Sequence, residues 1–85
     1  MFKLSFVKKF KKMAKNLDKV TKDKLDNTLD DLAEDPRKPS LRTHKNNKWD
    51  AWQSDIDQKY RVVWEYGPGE KEINVLAVGD HKIIE

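Results

Sequence analysis

The chain contains no cysteine, which excludes a disulfide framework and any thiolate metal site. Histidine is almost as scarce. His44 and His81 are the only two, too few for a tetrahedral zinc pattern, so neither a metal nor another cofactor is expected. No run of about 18 apolar residues occurs, which excludes a sequence-evident membrane helix. The opening "MFKLSFVKKFKK" lacks the apolar stretch of about 7–15 residues that a secretory signal requires, so a cytoplasmic location is the expectation. With 85 residues the chain is read as one domain, 1–85. A domain of that size buries only about 60–65% of the surface its unfolded chain exposes, so the core must be thin.

Charge is abundant and segregated. Residues 1–24 carry nine lysines against two acids, 25–35 carry five acids and no base, and 36–48 carry five bases. Residues 49–85 reverse the sign, with eight acids and four bases. Separated basic blocks suit a phosphate-binding surface, although a solvated lysine-rich helix face gives the same count. For residues 1–24 the solvated face is the better reading. The block at 36–48 is less easily explained that way, because it runs through "LRTHKNNKWDAW" and mixes Arg42, His44, Lys45 and Lys48 with tryptophan.

Hydrophobic spacing divides the chain into elements. Phe2, Leu4 and Phe6 alternate as in a strand, after which Phe6, Phe10, Met13, Ala14 and Leu17 follow helical intervals. Asp18 is placed to cap a second helix whose apolar stripe is Val20, Leu25, Leu29, Leu32 and Ala33. Pro36 ends it, because proline lacks an amide donor and forces Asp35 out of the helical region. Beyond Pro39 the alternation is β. Trp52, Ser54 and Ile56 oppose Gln53, Asp55 and Asp57; Tyr60, Val62, Trp64 and Tyr66 oppose Arg61, Val63 and Glu65; Ile73, Val75 and Ala77 oppose Asn74, Leu76 and Val78. The expected fold is α+β, in the order β-α-α-β-β-β, with a helical hairpin covering one face of a small twisted antiparallel sheet. The other face is expected to stay partly open, with residues 42–48 as a basic loop at its rim.

Three stretches in register, "LDDLAEDPRKPSLRTHK", "YRVVWEY" and "VLAVGDHK", resemble the RelE/ParE superfamily of toxins from bacterial type II toxin-antitoxin systems. The likeness covers nearly the whole chain and implies the RelE/ParE-like, microbial-RNase-like fold already read from periodicity. It implies two functions on one scaffold: RelE-like members cut messenger RNA at the ribosome, and ParE-like members poison DNA gyrase. It also implies a cognate antitoxin, with operator DNA reached only through that antitoxin and no membrane partner. Acidic antitoxin side chains would suit the basic blocks.

RNA cleavage by the ribose 2′-hydroxyl needs a base, an acid for the 5′-oxygen and cations for the phosphorane-like state. The resemblance assigns candidates. His44 and His81 stand where relatives carry functional residues, and Arg61 stands where ribonuclease members keep an arginine facing the scissile phosphate. Asp55 is a departure, an acid where many relatives have a base, acceptable as a base or as an orienter of Arg61. Arg42, Lys45 and Lys48 are candidate backbone contacts to RNA, and Trp49 is a candidate for base stacking. Each has a plain alternative: solvent-exposed histidines, a cross-strand Asp55–Arg61 pair, a packed tryptophan. The terminal tyrosine common in the family is replaced by Ile83, Ile84 and Glu85. The expected function is therefore a metal-independent endoribonuclease with the histidines sharing base and acid roles, which the sequence does not divide between them. A non-enzymatic binder such as a gyrase inhibitor is the alternative, and a basic ribonucleoprotein subunit is the third.

Overall fold

The computed structural model describes residues 1–85. Its elements are β1 (Lys3–Phe6), α1 (Lys8–Lys15), α2 (Lys19–Glu34), a 3-10 turn (Pro39–Leu41), β2 (His44–Asn46), β3 (Ala51–Asp55), β4 (Tyr60–Tyr66), β5 (Glu72–Asp80) and α3 (His81–Ile84). The helical hairpin forms where expected. Asp18 caps α2, its Oδ1 accepting the Thr21 amide at 2.8 Å, and hydrogen bonding from Thr21 holds its carboxyl below the usual range. The helix stops at Glu34 because Asp35, preceding Pro36, is extended at φ −163°, ψ 105°.

The buried stripe of α2 is Thr21, Leu25, Thr28 and Leu32, with intervals of four, three and four residues. Val20, assigned to that stripe from sequence, is instead 64% exposed. Position overrides residue type here, and the buried Thr28 hydroxyl donates to the Lys24 carbonyl at 3.0 Å. Phe10, Leu25, Leu32, Leu41, Val62, Trp64, Ile73, Val75 and Val78 form the main core between hairpin and sheet.

The sheet has five strands in the order β1-β5-β4-β3-β2. It is mixed rather than wholly antiparallel: β1 runs parallel to β5, with Leu4 opposite Ile73 and Phe6 opposite Val75. A crossover is needed to bring parallel strands together, and the two helices between β1 and the remaining strands supply one. The expected basic loop at 42–48 is also different. His44–Asn46 forms the edge strand β2, pairing antiparallel with β3, and Asn47–Asp50 forms the turn after it.

A β-bulge changes the faces of β5. Val63 pairs with Ala77 but Trp64 pairs with Val75, so Leu76 has no partner. One extra residue inverts the alternation beyond it. Val78 therefore joins the main core, and Ala77 turns to the opposite face beside Ala51, Val63 and Ile84, the reverse of the strict period-two assignment. That second face is not left open. The α3 turn folds over it and buries Ile84 completely.

Candidate functional site

A chain of hydrogen bonds running out from the main core fixes the segment beside the second face. Trp64 Nε1–H donates to Ser54 Oγ at 2.9 Å, Ser54 and Thr43 hydroxyls lie 2.7 Å apart, and Thr43 donates to the Pro36 carbonyl at 2.7 Å. Since Thr43 spends its proton on the carbonyl, Ser54 must donate to Thr43. The relay ties the core tryptophan to the segment after α2. It sets the backbone on which Arg42 and His44 stand, on either side of Thr43. Arg42 itself adopts the left-handed conformation, φ 50°, ψ 42°, which aims its side chain back across β3.

Asp55 lies opposite Arg61 in the β3–β4 register. Its Oδ1 is 3.1 Å from Arg61 Nε, and its Oδ2 is 3.6 Å from Arg42 Nε. The Asp55–Arg61 contact is a charge contact without hydrogen-bond alignment, since buried Oδ1 has no hydrogen-bond partner. Arg61 is nevertheless well held. Its Nη1 donates to the carbonyls of Asp57 and Tyr60 at 2.6 and 3.0 Å, and its Nε donates to Glu85 Oε2 at 3.1 Å. Asp57 shapes this turn by accepting the amides of Lys59 and Tyr60 and the Lys24 ammonium. Burial pushes the Asp57 carboxyl up, but those donors outweigh it and leave it below the usual range.

Glu85 and Gln53 complete the face. Gln53 is buried, and its Nε2 donates to the same Glu85 Oε2 at 2.7 Å while its Oε1 accepts from Asn46 Nδ2 at 2.8 Å. The Gln53 hydrogen bond chiefly, helped by Arg61 and by the charge of His81, holds the Glu85 carboxyl below the usual range against a small opposing effect of burial. Asn46 also donates to the Ile84 carbonyl at 3.0 Å, and Lys48 Nζ donates to the Ile83 carbonyl at 2.9 Å. The α3 turn is thus docked by a buried isoleucine, two carbonyl contacts and one carboxylate.

The candidates read from sequence divide between two faces. Arg42, Asp55 and Arg61 line one depression with Ser40, Asp57 and Gln58. His44 lines the adjoining one with Asn46, Lys48, Gln53 and Glu85. His44 is exposed, and its Nδ1 lies 2.9 Å from the Arg42 carbonyl. Because a carbonyl only accepts, Nδ1 carries the proton, and the neutral ring presents a bare Nε2. His81 begins α3, where its amide donates to the Lys59 carbonyl at 2.8 Å. It lines neither depression. Three strand spacings separate the strand of His44 from the strand that His81 follows, roughly 14 Å in that direction alone.

Lys45 faces the other way. It sits opposite Trp52, with its Nζ 5.6 Å from that ring and 3.5 Å from Asp50 Oδ1. Trp49 is half-buried, packed beside Ala51, Val63, Ala77 and Ile84, with Lys9 Nζ 4.7 Å from its ring centroid. Gln53, Asn46 and Glu85 carry no signal in the sequence that marks them as site residues. Alternation did place Gln53 on this face. Nothing local signals Glu85, whose position depends on α3 folding back. No group of three or more His, Asp or Glu side chains is arranged to hold a metal ion, and no helix is long and apolar enough to cross a membrane.

Residues 1–84 match the family described as "ParE toxin of type II toxin-antitoxin system, parDE". A search of curated protein sequences finds no match. Among solved structures, the YoeB/ParE toxin from Agrobacterium tumefaciens is 13% identical, with TM-score 0.78 over 94% of this chain and 99% of that one. YafQ from E. coli is 15% identical, with TM-score 0.76 over 98% and 97%. The RelE-RelB complex from the archaeon Pyrococcus horikoshii supplies a chain that is 18% identical, with TM-score 0.71 over 93% of each. At these identities the structural likeness establishes the fold, and the family match over nearly the full length establishes kinship. The chain belongs to the ParE toxin family of type II toxin-antitoxin systems, within the RelE/ParE superfamily.

Proposed function

We propose that this toxin is a metal-independent endoribonuclease acting on messenger RNA at the ribosome, held in check by a cognate antitoxin. The observation that carries the reading is the grouping of Arg42, Asp55 and Arg61 beside His44 on one sheet face. His44, with Nε2 unprotonated in the neutral ring, abstracts the proton of the ribose 2′-hydroxyl. The resulting oxygen attacks the adjacent phosphorus. Arg61, kept in plane by two backbone carbonyls, and Arg42 stabilise the charge that develops on the phosphoryl oxygens. Asp55 orients both guanidinium groups. His81 lines neither depression, so water protonates the departing 5′-oxygen, and the chemistry rests on one histidine rather than two. Lys48 and Arg42 supply sequence-independent backbone affinity.

The test is purified toxin, with and without ribosomes, assayed for new 5′ ends on messenger RNA. His44→Ala should slow cleavage by about 100-fold or more, and His81→Ala by much less. Equal losses for the two variants would sink the single-histidine assignment. Transcripts left intact by the parent protein would sink the ribonuclease reading.

The second reading is a non-enzymatic gyrase inhibitor. It is favoured by one specific observation, that the Arg61 Nε contacts two carboxylates in the free protein. Supercoiling assays with purified gyrase separate it from the first. For either reading the RelE-RelB complex from Pyrococcus horikoshii supports an antitoxin as partner, and co-expression with the adjacent gene product should yield a stable complex.

A further inference from the structure

We propose that Gln53 and Arg61 form a two-donor clamp for a phosphate group, and that the Glu85 carboxylate occupies it in the free protein as an internal substitute. A single oxygen, Glu85 Oε2, accepts from both Gln53 Nε2 at 2.7 Å and Arg61 Nε at 3.1 Å. Carboxylate and phosphate oxygens use the same guanidinium edge, so an atom held there stands where a phosphoryl oxygen would.

The clamp is built rather than incidental. Arg61 Nη1 is committed to the carbonyls of Asp57 and Tyr60, leaving the Nε edge as the one turned to Glu85. Gln53 is 1% exposed, and its orientation is dictated from a distance. The Trp49 amide donates to Asn46 Oδ1 at 3.1 Å, so Asn46 must present Nδ2 to Gln53. Gln53 must then present Oε1 to Asn46 and Nε2 to the anion. A backbone N–H thus fixes a donor at the clamp through two side-chain amides, with Asn46 as a positioning residue.

Charge makes the occupant exchangeable. Arg42 and Arg61 face Asp55 and Glu85, a balanced set, and the Asp57 carboxylate of the same depression is paired with Lys24. When Glu85 turns away, the remaining three groups carry one net positive charge and an unfilled donor pair, a site suited to an anion. Glu85 can leave alone, because its side chain is 44% exposed while Ile84 beside it is fully buried. Ile84 and the contacts of Asn46 and Lys48 to the α3 carbonyls keep the turn in place, though held less tightly, as the carboxylate swings out.

The identity of the phosphate as an RNA phosphodiester rests on the ribonuclease reading; the clamp does not. The test uses the full chain and inorganic phosphate, with titration followed by the nitrogen-detected signals of the Gln53 amide and the Arg61 Nε–H. Glu85→Ala should bind phosphate about tenfold more tightly than the parent, the loss of one competing charge-assisted contact. Adding Gln53→Glu, which keeps the acceptor for Asn46, should abolish the gain. Equal affinity in the parent and Glu85→Ala would overturn the proposal, as would a gain that survives both Gln53→Glu and Arg61→Ala, since that would place the anion on surface lysines. If phosphate binding tightens as expected while no variant cleaves RNA, the clamp stands and the ribonuclease reading falls.

Discussion

Ser54→Ala is the sharpest probe of how this small core holds its site. Ser54 has no exposed surface and its hydroxyl is the only acceptor for the indole N–H of Trp64, which is also fully buried. Removing the hydroxyl leaves that donor without a partner, a loss of about 1–3 kcal/mol, and also deletes the bond to Thr43. About 2 kcal/mol is expected, which in a domain of this size lowers the melting temperature by on the order of 10 °C. Urea unfolding followed by tryptophan fluorescence measures it. Trp64→Phe removes the donor itself, so the Ser54→Ala cost should shrink by about 1 kcal/mol or more in that background. Thr43→Ala should cost less than Ser54→Ala, because Thr43 is only half-buried and water can reach the groups it abandons. The reasoning fails if Ser54→Ala unfolds within about 0.5 kcal/mol of the parent, or if the two substitutions at 54 and 64 are additive.

Three further outcomes follow from the same geometry. Arg42 occupies a left-handed backbone conformation at φ 50°, so Arg42→Gly should be about 1 kcal/mol more stable than Arg42→Ala by thermal melting. Ala77 is fully buried beside Ile84 and Val63, so Ala77→Val should overpack and cost about 1–3 kcal/mol in the same assay, whereas Leu76→Val, in the unpaired bulge position, should cost less. The folded-state carboxyl of Glu85 lies below its ordinary value of 4.5, so its contribution to stability is present above that value and is lost as pH falls through the lowered folded one. Hydrogen exchange at the amides of Ile84 and Glu85 should therefore accelerate, relative to β4 amides, as pH drops from 5 toward 3, and Glu85→Gln should remove that extra sensitivity.

Local rules carried the reading of this fold as far as the chemistry of single elements extends, and stopped where two elements had to meet. The Asp18 cap, the stop at Pro36 and the β4 alternation are legible because each depends on neighbours a few residues away. The bulge at Leu76 is not, because "INVLAV" is apolar on both sides of it and either phase buries hydrophobic residues. Phase mattered only once α3 was in place. Ala77 is the small residue that leaves room for Ile84, so the bulge and the docked turn presuppose each other. The same holds for the site. Asp55, Arg61 and Arg42 fall together because β3 and β4 are joined by a short turn and the 3-10 segment returns to their edge. Glu85 arrives from 24 residues beyond Arg61, with no periodic signal to announce it. His81 follows β5 while His44 lies on β2, three positions apart in the sheet order, so the partnership that the motif suggests is one the two alanine variants test. What motif reading places at one end of a strand, the sheet can set three strands away. Of the two carboxylates that reach Arg61, Asp55 comes from the neighbouring strand and Glu85 from the tail, where the family's tyrosine is missing.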